Sequence, residues 1–444
     1  MSKRRRKPTF KPYDPDQLSL LPPSLEELIP QNHVVRIVRD VIDQLNIDPI
    51  LKKYKGGGAS SFHPKLLLKV LIYGYLSNTY SSRKIEQAIQ SNIHYMWLAG
   101  MQTPDHNTIN RFRNDKLKGV LKEVFGQVVK LMVGQGLVNI KTIYVDGTKL
   151  EANANKYTFV WGKSIKKYKQ GIKTQLTELW NYADTIAKEE MLDNDPTIYP
   201  ELNADQVRKT IESINEAIKD KPVDKKIKQK LNYAKRHWPQ NMAKYNEQEK
   251  ILGDRNSYSK TDPDATFMRM KDDHMRNGQL KAGYNLQIST SNQYIVNYDI
   301  YHNPTDTLTL PDHLNQYKEL YGQSPDVAVA DSGYGSEENY EYLDKEQIDG
   351  YIKYNYFHKE QKSKGKIKPK EAFQPQHLYY NEEGDYFICP MGQKMHNKHE
   401  VNKKTKSGFQ QKYSVYEAHN CMNCPIKGAC HKSKTNRKSN STGI

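Results

Sequence analysis

Two short runs decide how this sequence is read: Thr142-Ile143-Tyr144-Val145-Asp146-Gly147 and Val327-Ala328-Val329-Ala330-Asp331-Ser332-Gly333. Each is apolar and β-forming, ends in an aspartate, and meets a glycine within two residues, where the chain is expected to turn. Carboxylates at strand ends emerge where α/β sheets build their sites. If the two strands are neighbours, Asp146 and Asp331 converge, and such a pair can hold Mg²⁺ (or Mn²⁺) and activate water against a phosphodiester. An Asp before a Gly also simply ends a strand and makes a turn. Spacing alone leaves both readings open.

Working outward, the second run is expected to be a buried strand, because its apolar residues are continuous. Gly283–Thr290 and Tyr294–Tyr301 pattern as a hairpin around Ser291-Asn292-Gln293. Asp306 is placed to cap a helix carrying Leu308, Leu310, Leu314 and Leu320. Glu337–Asp344 reads as a helix and Gly350–Tyr354 as a further strand. Between 163 and 250 the chain is charged and helical. Leu176, Leu179, Ala183 and Ile186 form one narrow apolar stripe, Val207, Ile211, Ile214 and Ile218 a second, and Ile227, Leu231, Ala234 and Trp238 a third. Narrow stripes suit a helical hairpin or coiled-coil insertion.

Upstream, residues 1–30 are basic and then proline-rich, an arm of low intrinsic order. Residues 31–137 pattern as short helices. Val34, Ile37, Val38, Val41, Ile42 and Leu45 mark the first, Pro64 opens the next, Ser81-Ser82 caps a third, and Pro104-Asp105 opens a basic one. Gly56-Gly57-Gly58 interrupts them. Tight connections and a final basic helix suggest a helix-turn-helix-like unit, with Asn110, Arg111, Arg113 and Asn114 as candidate readers of double-stranded DNA. A solvated helix face carries the same residues.

The chain has 444 residues, two to three domains' worth at roughly 150 each. Its 68 Lys and Arg against 51 Asp and Glu give a net charge of +17, which points to a polyanionic partner. Basic stretches lie at Lys3–Lys7 and Lys163–Lys169, and Tyr354 and Tyr356 alternate with Lys353 and Asn355 in a pattern suited to stacking on unpaired bases. No apolar run is long enough for a transmembrane helix, and the basic start lacks the apolar core of a secretory signal, so a cytoplasmic, nucleoid-associated protein is expected. Four cysteines are too few for a disulfide scaffold in a chain of this length. Cys389 and the run Cys421-x2-Cys424-x5-Cys430 suit a tetrahedral Zn²⁺ site, with His396, His399, His419 and His431 as substitute ligands; unligated thiols in a flexible tail fit the spacing too.

Taken together, the wording resembles that of bacterial insertion-sequence transposases of the DDE class. His63-Pro64-Lys65-Leu66-Leu67-Leu68-Lys69-Val70, Ser82-Arg83-Lys84-Ile85-Glu86, Trp97-Leu98-Ala99-Gly100 and Pro104-Asp105-His106-Asn107-Thr108-Ile109 resemble their N-terminal domain. Tyr144-Val145-Asp146-Gly147-Thr148 resembles the segment with the first catalytic Asp. Thr261-Asp262-Pro263-Asp264-Ala265 and Ala330-Asp331-Ser332-Gly333-Tyr334-Gly335 resemble the later core, with the second catalytic Asp. The resemblance implies an α/β, RNase H-like (retroviral-integrase-like) core over 138–360 in the order β–β–β–α–β–α–β, interrupted by the insertion at 163–250. It implies metal-dependent cleavage at transposon ends, attack of the freed 3′-hydroxyl on target DNA, and a homodimer on paired ends. It also implies that Ile388-Cys389-Pro390 pairs with Cys421-x2-Cys424-Pro425 in a zinc-ribbon-like segment within 361–444.

That family uses a third carboxylate, a Glu on a late helix with surroundings Tyr-x2-Arg-x3-Glu-x6-Lys. No such run follows Asp331. Arg208-x3-Glu212-x6-Lys219 matches in part but precedes Asp331, has Asp205 at the Tyr position, and reads as chance. Glu371, Glu382, Glu383, Glu400 and Glu417 lack helical context, and Lys432–Ile444 is too polar for a closing core helix. The expectation is a C-terminally shortened copy of impaired activity, or a catalytically inactive protein that occupies transposon ends as a repressor. An RNase H-like nuclease acting on RNA is a third reading.

Overall fold

The structure is a computed structural model of the chain, and it describes residues 24–54, 60–187, 194–270, 278–355, 357, 373–405 and 407–441. The basic arm at Lys3–Lys7, Gly56–Gly58, Tyr356 and Glu371 lie outside the described residues. The chain divides into two compact units, Met1–Val138 and Asn139–Ile444.

The first unit is helical: α1 (Leu25–Leu28), α2 (Val34–Gln44), α3 (Asp48–Leu51), α4 (Pro64–Leu76), α5 (Ser82–Ser91), α6 (Ile93–Leu98), α7 (His106–Arg111) and α8 (Leu121–Gly134). Local chemistry sets the starts. Pro64 occupies the first turn of α4 while the His63 ring accepts from Lys65 N–H, and Asp105 accepts from Thr108 N–H at 2.8 Å to open α7. Ser81 precedes α5 but makes no side-chain cap. The core gathers Val35, Val38, Ile42, Leu67, Leu71, Ile85, Ile89, Ile109 and Phe112. Val35 replaces Val34 and Ile37 on the inner face of α2, and Ile37 is 61% exposed. The face is rotated because Arg36 also turns inward, donating to the carbonyls of Pro30 and Ile29 and to Glu26. A buried guanidinium is tolerated only when its donors are satisfied in this way.

The second unit is built on a mixed sheet. Its strands are β1 (Thr142–Glu151), β2 (Phe159–Trp161), β3 (Ser257–Ser259), β4 (Thr266–Arg269), β5 (Leu280–Ser291), β6 (Tyr294–Tyr301), β7 (Val327–Ala330) and β8 (Asp349–Ile352). The main sheet runs β4-β5-β1-β7-β8, and β6 also pairs with β5. β5 is antiparallel to β1 and to β6, whereas β7 is parallel to β1 and β8 parallel to β7. Parallel pairs need long crossovers, and two helices supply them: α12 (Leu310–Tyr321) between β6 and β7, and α13 (Glu337–Lys345) between β7 and β8.

The helical insertion departs and returns without disturbing this order. It comprises α9 (Gly162–Ala187), α10 (Ala204–Ala217) and α11 (Lys225–Leu252), which follow β2 and precede β3, and those two strands pair with each other. The three apolar stripes meet in one cluster around Leu176, Leu179, Val207, Ile211, Leu231 and Trp238, so three helices, not a two-helix hairpin, share this small core.

Residues 380–441 carry a second sheet. β9 (Tyr380–Asn381), β10 (Tyr386–Ile388), β11 (Lys394–Lys404), β12 (Gln410–Ala418) and β13 (Lys438–Ser441) are antiparallel in the order β13-β12-β11-β10-β9. Lys438–Ser441, within the polar stretch, is therefore a strand, not a tail. It has few apolar residues because it pairs through its backbone with β12, while Arg437 and Ser439 are buried.

The main sheet has unlike faces. Asn285, Gln287 and Ser289 of β5 and Asn297 and Asp299 of β6 are buried, on the side where α12 contributes His313. Their partners alternate onto the other side, where Tyr144 is 54% and Tyr351 65% exposed. The expectation that β7 is buried throughout is corrected here. Ala328 is fully buried, but Val327 and Val329 keep partial exposure because their face of the strand is open, and Ala330 does so at the end of the strand.

Candidate active site

β1 does not stop at Asp146. It continues through Gly147 to Glu151, so the turn expected at Gly147 is absent. The strand that ends is β7. Its register pairs Ile143 with Ala328 and Val145 with Ala330, so Asp146 and Asp331 follow as the next residues of adjacent parallel strands. Side chains alternate along a strand, which puts both aspartates on the face of Tyr144 and Val329. They line a shared open cleft of about 1040 Å³ with Tyr144, Tyr351, Lys353 and Tyr354.

Each carboxylate is oriented by a backbone N–H just after it. Asp146 Oδ1 accepts from Gly147 N–H at 2.8 Å, and Asp331 Oδ1 accepts from Gly333 N–H at 2.7 Å as the cap of a short turn, Ser332–Tyr334. Beneath that turn Tyr334 is fully buried and donates its hydroxyl to Gln287 Oε1. Its ionisation is pushed far up by burial, then by the charges of Asp306, Asp146 and Asp331, so it remains a neutral phenol.

Asp306 does not act as a helix cap. A short 3-10 turn, Asp306–Leu308, intervenes before α12, and the Asp306 carboxylate turns to the sheet. Its Oδ1 accepts from Asn285 Nδ2 at 2.8 Å and from Gln287 Nε2 at 3.0 Å. Gly147 is required by this packing: a Cβ there would lie 2.4 Å from Gln287 Nε2 and 2.8 Å from Asp306 Oδ1. Sequence reasoning missed Asp306, Asn285, Gln287 and Tyr334; the signal available was three polar residues, Asn285, Gln287 and Ser289, alternating along a strand.

Glu212 sits apart from the aspartates, beside Arg208, Lys235 and Arg236 on the helical insertion. Glu400 and Glu417 lie on β11 and β12, and none of these borders the cleft. Among the described residues, no three of His, Cys, Asp and Glu are placed to ligate one ion directly.

The four cysteines border one cavity, with no three of them placed to hold one ion. Cys389, Cys421, Cys424 and Cys430 line one small cavity of about 20 Å³ with His431. Gln393 N–H donates to Cys389 Sγ and Arg437 N–H to Cys421 Sγ, both at 3.3 Å, and Arg437 Nη1 lies 2.7 Å from Cys430 Sγ. Both ring nitrogens of His431 are buried without a hydrogen-bond partner, and burial, then Lys427 and Arg437, hold its pKa below the usual histidine range.

In the first unit Asn110, Arg113 and Asn114 bond to one another: Arg113 Nη2 and Asn114 Nδ2 both donate to Asn110 Oδ1, at 2.9 and 3.3 Å. Arg111 is exposed. Arg113 and Asn114 fall on a π-helical turn, Phe112–Lys116, that extends α7.

Two family models match the chain: one described as "Transposase domain (DUF772)" over residues 23–115, and one described as "Transposase DDE domain" over residues 255–416. The chain is an insertion-sequence DDE transposase. Neither a curated protein nor a solved structure matches it. The match to the DDE domain includes Asp331 but not Asp146, which the helical insertion separates from it in sequence and the β1–β7 pairing restores. An RNase H-like α/β fold goes with that domain, and the mixed sheet is consistent with it. A transposase acts on DNA and uses a divalent metal, typically Mg²⁺. Among the described residues, no helix is long and apolar enough to cross a membrane.

Proposed function

We propose that Asp146 and Asp331 are the catalytic pair of a metal-dependent reaction that cleaves transposon ends and joins the freed 3′-hydroxyl to target DNA. The observation that carries this is their adjacency at the end of β7, on one open face. Two anionic oxygens on neighbouring strands suit a hard divalent cation, Mg²⁺ or Mn²⁺. When bound, the metal supplies an activated water and offsets charge that develops on the phosphate. The chain's own groups orient the site: Gly147 and Gly333 N–H fix the carboxylates, and Lys353 at the cleft offers a phosphate contact.

Four thiols that line one cavity with His431 support, by their chemistry, a structural Zn²⁺, which would lend folding free energy to the second sheet as a zinc-ribbon-like element. Zinc analysis on the purified chain, with each of Cys389, Cys421, Cys424 and Cys430 changed to Ser in turn, tests this. Asn110, Arg111, Arg113 and Asn114 are the proposed readers of double-stranded DNA. The protein is proposed to work as a homodimer on paired ends, on the nucleoid in the cytoplasm.

A second reading is favoured by the cleft itself: no glutamate joins Asp146 and Asp331 among the residues that line it. Two carboxylates bind a cation weakly, so the chain would cut poorly, and as a catalytically inactive protein it would occupy transposon ends and repress an active enzyme. Nicking of an end-containing duplex separates the two. Mg²⁺-dependent nicks lost in Asp146→Asn and Asp331→Asn establish the enzyme; binding without nicks in the unaltered chain establishes the repressor.

A further inference from the structure

We infer that Asp306 is a positioning carboxylate for the cation held by Asp146 and Asp331, an inference that rests on the reading of those two as the metal pair. Three observations bear on its place. Asp306 Oδ1 lies 2.8 Å from where a Cβ would stand on Gly147, on the covered face of β1, while Asp146 leaves the same strand one residue earlier on the open face. Its Oδ2 lies 3.8 Å from the corresponding point on Gly333, while Asp331 Oδ1 lies 2.9 Å from that same point. The fully buried Tyr334 hydroxyl senses all three charges, Asp306 most strongly.

The carboxylate is built in. Asn285 and Gln287, both fully buried, each donate to Oδ1, and Gln287 is fixed in turn by the Tyr334 hydroxyl. Thr307 Oγ1 donates to the Gly333 carbonyl at 2.9 Å, tying the Asp306 turn to the turn that carries Asp331. Two hydrogen bonds fix one oxygen and leave the other directed at Gly333. A third negative charge so near two others is unfavourable in the metal-free protein and favourable once a cation arrives. Asp306 is not placed to ligate the ion with the other two. Mg²⁺ keeps several of its waters, and an anchored carboxylate one shell out accepts hydrogen bonds from them. Asp306 thus does part of the work of a third acid, through charge and water.

Removal of such an outer-shell partner costs about 10- to 100-fold in metal affinity. The test is calorimetric titration of the full chain with Mn²⁺, beside its metal-free unfolding temperature. Asp306→Asn keeps an oxygen for Asn285 and Gln287, so the metal-free protein is expected to unfold at the same temperature or higher, while Mn²⁺ affinity falls about 10- to 100-fold. A purely structural role would lower the metal-free unfolding temperature and leave affinity alone. Wild-type affinity in Asp306→Asn, together with loss of binding in Asp146→Asn, overturns the inference and leaves the metal pair standing. Unchanged binding in Asp146→Asn overturns both. If Asp306→Asn does not unfold cooperatively, Asn285→Ala decides: it retains the charge and removes one of its two anchors, and wild-type affinity there also overturns the inference.

Discussion

Replacing Gly147 by alanine adds one carbon at a crowded point of the sheet. The new Cβ would meet Gln287 Nε2 at 2.4 Å, Asp306 Oδ1 at 2.8 Å and Asp306 Cγ at 3.1 Å. A side-chain tip can usually swing aside, but Gln287 is fully buried and held by Asn285, Asp306 and the Tyr334 hydroxyl. Overpacking costs roughly 1–3 kcal/mol. Displacing Gln287 breaks its hydrogen bonds to Asp306 and Tyr334, at about 1 kcal/mol each. Gly147→Ala should therefore destabilise the second unit by roughly 3–5 kcal/mol. Urea unfolding followed by near-UV circular dichroism reads this as a lower midpoint at unchanged slope. Gly171→Ala in α9 is the control, since nothing lies within 4 Å of its added carbon, and it should be neutral or stabilising by up to about 1 kcal/mol. If Gly147→Ala unfolds at the wild-type midpoint, Gln287 and Asp306 are not packed against β1, and the reasoning about Asp306 loses its footing.

His313 sits between Ser289 Oγ at 2.7 Å and Asp299 Oδ2 at 2.5 Å, fully buried. His313→Ala removes one partner of a buried carboxylate that Asn297 also contacts, and a loss of about 1–3 kcal/mol is expected in the same urea assay. Trp238→Ala should cost about 3–5 kcal/mol. Because the insertion has its own core and is closed by β2 and β3, amide exchange should speed up in α9–α11 and not in β1, β5 or β7. His94 is held below its ordinary value of 6.5 by burial and by the stacked His33 ring. Its folded form binds a proton less readily than the unfolded chain, so this contribution is complete above pH 6.5 and is lost as pH falls below it. Thermal unfolding of the first unit between about pH 5 and 8 should show that loss, and His94→Gln should flatten it.

Much of the fold was legible because its signals are local. Pro64 and Asp105 announce helix starts through chemistry that acts within one turn. The stripes of the insertion follow from the helical repeat, and the hairpin of β5 and β6 from its turn residues. Misreadings arose where a distant partner decides. Gly147 looks like a turn and is a packing site under Gln287 and Asp306. Asp306 looks like a helix cap and is bound by two amides of β5. Lys438–Ser441 looks like a polar tail and is an edge strand.

By itself the sequence determined the elements, the excess of positive charge, and the two aspartates beside apolar runs, since composition and periodicity need no knowledge of neighbours. The tertiary structure alone decided that β7 lies parallel to β1, which places Asp331 next to Asp146 across a helical insertion. It alone decided which face of the sheet is covered, and so that Asn285, Gln287, Ser289 and Asp299 are buried while Tyr144 and Tyr351 remain exposed. Alternation specifies two faces but not which one meets a helix. That choice belongs to the crossovers α12 and α13, and with it the carboxylates of Asp146 and Asp331 gained an open cleft.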